Sequence, residues 1–430
     1  MVRKMNVRKV FVALIFLCYM WPMNFKFFQG FGFYLLYDLV PLGYVLWNYK
    51  LVAGMLYVVK KQMINFCLLY VAIVIWALIV IGINDGDFTY FDFLLRIIQN
   101  ILLYLFMWLF SYKMLREISL DSFLKYFIVA TCLYVFFSVV FLLNPDWKEF
   151  WAQLLVQNDL QLRATEDVSY QTRFGLKGFS NFGETAMCSL AALSSLYLMH
   201  KEKIVLNIWM VAFIICLLGS LFYGRSGVIT SVMFFVLYEL GDISMVNIKR
   251  LFVIVFTLTL LIMLTIGIAE YDLRLQYWLM WVSAPVESFI FGLQYGQISF
   301  GHSTNRLVNE MYFVPDDDTL LLGDAHYMNS DGSYYMGTDV GILRHVLYYG
   351  IFGELLGYSL IAMPVFWLMR IFYTNKDKLR LLMIMLFVPF IVFFEAKGVI
   401  YNSFFGWLII MLVLGKNEYL DKEKVEKYDE

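Results

Sequence analysis

Charge is scarce in this chain: 16% of its 430 residues are Asp, Glu, Lys or Arg and 61% are hydrophobic, against roughly 25% charged in an ordinary soluble domain. That shortage excludes a water-soluble globular fold and leaves an all-α polytopic membrane protein. The five cysteines, Cys18, Cys67, Cys132, Cys188 and Cys216, all lie in apolar runs, so no disulfide or zinc framework is available. The N-terminus has the positive charge of a signal peptide (Arg3, Lys4, Arg8, Lys9), yet Trp21-Pro22 offers no small-residue cleavage site. The segment from Val10 is therefore expected to remain as a first span. There is no P-loop, no GxSxG elbow and no dinucleotide fingerprint, which argues against soluble nucleotide chemistry; no nucleic-acid partner and no cofactor are expected. Nor is there a metal motif. Asp316, Asp317 and Asp318 follow Pro315 as a solvated turn, because three adjacent carboxylates do not all point at one ion.

What the chain has in abundance is apolar runs of spanning length. Crossing about 30 Å of hydrocarbon takes roughly 20 helical residues, and that ruler marks about twelve spans, at 10–25, 29–48, 64–84, 91–112, 122–143, 184–200, 204–222, 226–241, 250–269, 346–372, 379–395 and 398–415. Residues 51–59 are too short to cross and are expected to lie in the inner interface. An even number of spans puts both termini on one side. Placing them inside puts most of the 33 Lys and Arg there, including Lys60, Lys61, Lys113, Lys125, Arg370 and Lys416, as the positive-inside rule requires. The whole of 1–430 then forms one integral membrane domain with a cytoplasmic tail at 416–430.

Two long segments fall outside, 144–183 and 270–345, with a short connection at Phe222 to Ser226. Outer loops this long are uncommon without a task. Their aromatic rings, such as Trp151 and Trp281, either stack on sugars or mark the membrane interface, where Trp and Tyr concentrate.

Basic residues in these loops are the candidates for binding an anion. Arg225, in FYGRSG, stands at the rim of the hydrocarbon, where an unpaired charge is costly; either a phosphate answers it through the guanidinium fork or the side chain snorkels. Arg173 lies in RFGLKGFSNFGE, whose glycines let a backbone approach a ligand just before a helix begins near Glu184. Arg163 and Lys177 add positive charge nearby, and an ordinary re-entry turn is the competing account. Arg274 opens YDLRLQYWLMW, a stretch with the pattern of an amphipathic helix on the membrane surface. It is there either at the level of lipid phosphates or as an anchor. Arg96 is expected to pair with Asp92 at helical i, i+4 spacing.

For proton transfer, His326 is the leading candidate and His302 its competitor, since imidazole exchanges a proton near neutral pH. Asp339 is either the acceptor or the cap of the helix that begins around Gly341. His345 is expected at a half-buried helix start, and His200 on the inside.

Four of these stretches, RFGLKGFSNFGETA, LLGSLFYGRSG, YDLRLQYW with PVESFIFGLQYG, and GTDVGILRHVLYYGIFGE, together resemble the Wzy-type O-antigen and capsular polysaccharide polymerases of the O-antigen ligase-like superfamily. The resemblance covers about residues 60–415. It implies a metal-independent glycosyltransferase with a GT-C-like fold in the bacterial cytoplasmic membrane, working at its outer face. The substrate it implies is an undecaprenyl-diphosphate-linked oligosaccharide, and a chain-length regulator and membrane lipid are the further partners. By the same resemblance Arg225 and Arg274 match arginines of the family, His326 its loop histidine, and Asp339, Gly341 and Arg344 its loop-to-helix motif. Arg163, Arg173 and Arg344 join Arg225 and Arg274 as candidate diphosphate ligands. The chain departs from the family in two places. Neither Arg163 nor Arg173 meets the Arg-ten-residues-Gly spacing, and the ligase-like His-Asn pair is stretched to His326-Tyr327-Met328-Asn329.

Overall fold

The computed structural model describes residues 7–89, 91–116, 118–156, 172–202, 207–241, 245–294, 305–329 and 332–429. Among them the protein is all-α apart from one two-rung ladder and two isolated bridges, Phe25 with Leu155 and Met328 with Tyr334. In chain order the helices are α1 (Val7–Met20), α2 (Phe31–Trp47), α3 (Tyr49–Tyr57), α4 (Lys60–Asn84), α5 (Phe91–Leu115), α6 (Leu120–Leu143) and α7 (Pro145–Leu154). The hairpin β1 (Phe174–Gly175) and β2 (Gly178–Phe179) comes next. After it run α8 (Phe182–Glu202), α9 (Ile208–Tyr223), α10 (Arg225–Gly241), α11 (Met245–Ala269), α12 (Leu273–Gln294), α13 (Asp317–Leu322), α14 (Gly341–Thr374), α15 (Lys378–Glu395) and α16 (Phe405–Asp429).

Each of the twelve apolar ranges overlaps a helix, although the first helix ends at Met20 and the last begins only at Phe405. Five of those helices (α4, α5, α6, α11 and α14) are long and apolar enough to cross a membrane, and a sixth if α2 and α3 count as one span bent by 79°. That bend sets α3 off from α2, where the sequence leaves a piece too short to cross. The surface of α11 argues most directly for lipid. Only 6% of its apolar window is buried, and Phe252, Phe256, Met263 and Ile266 stand open, a face that water does not tolerate at that size.

Local chemistry explains where the helices start. The side chains of Ser119, Asn144, Asn207, Asp316 and Asp377 each accept a backbone N–H three residues on, at the heads of α6, α7, α9, α13 and α15, answering donors the first turn leaves open. Asp316, Asp317 and Asp318 are all exposed, as read from the sequence, but Asp316 caps a short helix that Asp317 and Asp318 open rather than standing in a turn. Asn144 acts with Pro145 in the first turn of α7, where proline is well suited.

The chain divides into two compact units, Met1–Val40 with Phe110–Phe300, and Pro41–Leu109 with Gly301–Glu430. In the first, α6 packs against α1, α8 and α9. Helix α8 is buried on every side from Glu184 to His200. Its serines fit there because Ser189, Ser194 and Ser195 donate to the carbonyls of Thr185, Leu190 and Ala191, which satisfies those three buried hydroxyls. A single residue, Gly224, separates α9 from α10. A side chain there would meet Thr185 Oγ1 at 2.8 Å, so glycine is what lets this corner sit against α8.

In the second unit α14 packs against α4, α13, α15 and α16. It is broken at Tyr349 and Gly350, where Gly350 takes φ +66°. The break frees carbonyls that are answered from elsewhere: Trp76 Nε1 donates to Tyr349 O at 2.8 Å, and the N–H groups of Asp324 and Ala325 donate to Leu347 O and Tyr348 O at 2.7 and 3.0 Å. The last two bonds hold Asp324 and Ala325 to the broken helix, and the first holds α4 to it.

Candidate functional site

In the first unit the hairpin, the α9–α10 corner, α7 and α12 bring basic side chains together. Two residues, Leu176 and Lys177, turn the hairpin, with Phe174 opposite Phe179 and Gly175 opposite Gly178. Trp151 Nε1 donates to Leu176 O at 2.8 Å and ties the hairpin to α7. Arg173 leads into β1, and its guanidinium carbon lies 5.5 Å from the centre of the Trp281 ring. Arg225, the first residue of α10, lies 4.9 Å from the same ring and donates through Nη1 to Trp281 O at 3.3 Å. Two cations thus share one indole, whose π face attracts both.

Helix α12 carries that indole and Arg274 on one face. Seven residues are two turns, so Arg274 and Trp281 lie about 10 Å apart along the helix. Trp278, between them, stacks on Phe222 with centroids 5.4 Å apart and donates to Leu221 O at 3.5 Å, pinning α12 to the end of α9. Arg274 forms a two-pronged pair with Asp272, Nε to Oδ1 at 3.1 Å and Nη2 to Oδ2 at 2.6 Å. This pair lowers the Asp272 carboxyl below its ordinary range. Lys148, on α7, is only 8% exposed, with Nζ 5.3 Å from the Phe174 ring centre. Burial, with the Arg274 charge adding to it, pushes its ammonium down to about 8. Lys177 pairs with Glu184.

The resulting stripe of Arg173, Arg225, Arg274 and Lys148 has Asp272 and Glu184 as its partial counter-charges. Guanidinium groups held this close repel one another, and an anion with several oxygens removes that penalty while forming paired, charge-assisted hydrogen bonds. Three of the arginines singled out in the sequence are therefore in one unit. Arg163 and His302 lie outside the described residues.

His326, Asp339 and Arg344 belong to the second unit. His326 is half-buried; its Nδ1 is 3.8 Å from Asp87 Oδ2, too long for a hydrogen bond. Asp87 is itself fixed, accepting from the N–H of Thr89 at 2.8 Å and of Tyr327 at 3.1 Å. Beside it, Tyr335 donates to Asp324 at 2.9 Å; burial first, then that bond, pushes the phenol up to about 12.

Arg344 lies between two rings, 3.6 Å from the centre of Tyr327 and 4.0 Å from that of Tyr334, and is 7% exposed. Both faces of its guanidinium are covered, an arrangement that braces the loop. Asp339 does not cap α14: Val340 is the N-cap residue and makes no side-chain bond. Instead Asp339 Oδ1 is buried without a hydrogen-bond partner, and burial raises its carboxyl against the opposing charges of Lys397, Arg344 and Arg306. A carboxyl held towards its neutral form is suited to proton transfer.

Two further expectations are corrected. Arg96 does not pair with Asp92; it lies over the Phe93 ring at 5.0 Å, and Phe93 in turn packs on Tyr327 at 4.9 Å. His345 is buried rather than half-buried, 2% exposed, with Nε2 3.1 Å from Glu395 Oε2. Glu395 Oε1 accepts the N–H groups of Ile400 and Tyr401 at 2.7 and 2.6 Å, and Tyr358 donates to Oε2 at 3.3 Å.

Sequence reasoning missed Lys148, Asp87 and Glu395. For Glu395 a signal was present, since an acidic residue closing the apolar run FVPFIVFFE is conspicuous in a membrane chain. Lys148 and Asp87 gain their character only from contacts distant in sequence. Among the described residues no group of three or more His, Cys, Asp or Glu is placed to hold a metal ion. No protein-family model matches the chain, and neither a curated protein nor a solved structure matches it.

Proposed function

We propose that the protein is a polymerase that joins polyprenyl-diphosphate-linked oligosaccharide repeat units into a surface polysaccharide, in a twelve-span, GT-C-like arrangement with both termini in the cytoplasm. The observation that carries this proposal is the pair of guanidinium groups, Arg173 and Arg225, on the Trp281 indole, with Arg274 and Lys148 continuing the positive stripe. In the reaction, a hydroxyl oxygen of the acceptor unit forms a bond to the anomeric carbon of the donor chain, and the bond from that carbon to the carrier diphosphate breaks. The electron pair leaves with the diphosphate, whose growing charge the arginines stabilise. A base takes the hydroxyl proton; His326, with Asp87 beside it, and Asp339 are the groups with that chemistry.

The test is reconstitution of the purified protein in liposomes with lipid-linked repeat units. A ladder of lengthening products is expected from the wild type, and single units only from Arg225→Ala. Unchanged ladders from a normally folded Arg225→Ala protein would defeat the proposal.

A second reading, a transporter of the lipid-linked sugar, is favoured by one feature. Helix α14 is broken beside the buried His345–Glu395 pair, and broken helices with buried ionisable groups are a habit of transporters. Movement of labelled lipid across the liposome membrane without chain growth would select it. The ligase reading differs only in its acceptor, and transfer of finished glycan to a non-carrier acceptor would select that.

A further inference from the structure

Away from the Arg173–Arg225 stripe, the first unit holds a cavity of about 810 Å³ between α1, the end of α5 and α6. Its lining changes character along its length. At one end are Arg8, Lys9, Lys125, Ser119 and Ser122; at the other are Ala13, Leu14, Val129 and Leu133. Helices α1 and α6 both begin at the cationic end, so their stripes turn apolar in step. From Lys125 through Val129 to Leu133 is one helix face, about 12 Å deep at 1.5 Å per residue. Among the described residues no carboxylate lines it.

Two further features mark the cationic end as the level of a headgroup. Lys125 Nζ lies 5.4 Å from the centre of the Trp209 ring, and tryptophan is the residue that settles at the membrane interface. The hydroxyls of Ser119 and Ser122 are 3.0 Å apart, so one donates to the other and the pair keeps one O–H to offer. Three cations and a hydroxyl donor above an apolar wall match the polarity profile of a phosphodiester headgroup above acyl chains. A free phosphate would leave the wall unused, and a zwitterionic lipid would set its own cation against Lys125 and Arg8.

From this we infer that the cavity is a binding site for an anionic phospholipid, with its phosphate at Arg8, Lys9 and Lys125 and an acyl chain along Val129 and Leu133. The inference does not depend on the polymerase proposal. An anionic lipid seated there ties α1 to α6, the helix on which the first unit is built.

The full-length protein in detergent, mixed with equal amounts of phosphatidylglycerol and chain-matched phosphatidylcholine, is examined by native mass spectrometry. Retention of phosphatidylglycerol at about tenfold or more over phosphatidylcholine is expected. The double variant Arg8→Gln, Lys125→Gln should remove the preference, while Val129→Trp, which fills the apolar half without touching a charge, should cut phosphatidylglycerol retention to a similar extent. Equal retention of the two lipids by the wild type would overturn the inference and leave the cations as snorkelling side chains. So would displacement of phosphatidylglycerol by glycerol phosphate at equal concentration, or a folded Val129→Trp protein that holds the lipid as well as before.

Discussion

Raising the pH from 7 to 9 should weaken binding of a prenyl diphosphate to the basic stripe, and Lys148 sets the size of the effect. Its ammonium titrates at about 8 instead of 10.5 because it is buried and faces the charge of Arg274. At pH 7 about nine in ten Lys148 side chains are charged and at pH 9 about one in ten, so an anion that relies on that charge loses roughly tenfold in affinity between them. The stability of the ligand-free protein moves the other way. Between about pH 8 and 10.5 the unfolded lysine binds more protons than the folded one, so this group makes folding more favourable as pH rises through that window. Farnesyl diphosphate is a suitable soluble probe, titrated by calorimetry against the detergent-solubilised protein at pH 7, 8 and 9. Lys148→Gln controls for ionisation of the probe itself and should flatten the difference. In Arg274→Gln the repulsion is relieved and the midpoint should move upward. If the wild type and Lys148→Gln showed the same pH dependence, Lys148 would have no part in the site.

Trp281→Ala removes the surface on which Arg173 and Arg225 both lie; at about 1 kcal/mol for each cation–π contact the loss is roughly 2 kcal/mol, read as a lower melting temperature together with weaker farnesyl diphosphate binding. Trp76→Phe leaves the Tyr349 carbonyl at the α14 break without its donor, at a cost of about 1–3 kcal/mol, and hydrogen exchange around 345–352 should quicken. Glu395→Gln exchanges the carboxylate that serves two backbone N–H groups and His345 for an amide; a loss of about 2–4 kcal/mol is expected, with protease sensitivity appearing at 396–403.

The elements of this fold were largely legible in the sequence because a membrane helix declares itself locally. Twenty apolar residues with basic flanks need no distant partner to be recognised, and α4, α5, α6, α11 and α14 are recovered almost to their ends. The helix after Arg274 was also legible, from the amphipathic pattern of YDLRLQYWLMW. The partners of the site residues were not, because they depend on contacts between segments far apart in the chain. Nothing near Arg274 says that Lys148 faces it, nor does HYMN say that Asp87 lies beside His326. Arg344 is the instructive case. Its motif marks it as a phosphate ligand, yet Tyr327 and Tyr334 close over both faces of the guanidinium, and only their return to the head of α14 makes that possible.

The most direct test is to locate the diphosphate itself. A cryo-electron microscopy map of the protein with bound undecaprenyl diphosphate should place phosphate oxygens about 2.8 Å from the guanidinium nitrogens of Arg225 and Arg173, with Arg274 and Lys148 along the same stripe. Phosphate density at any other basic cluster, with the Trp281 face left bare, would contradict the assignment of this stripe as the carrier-lipid site.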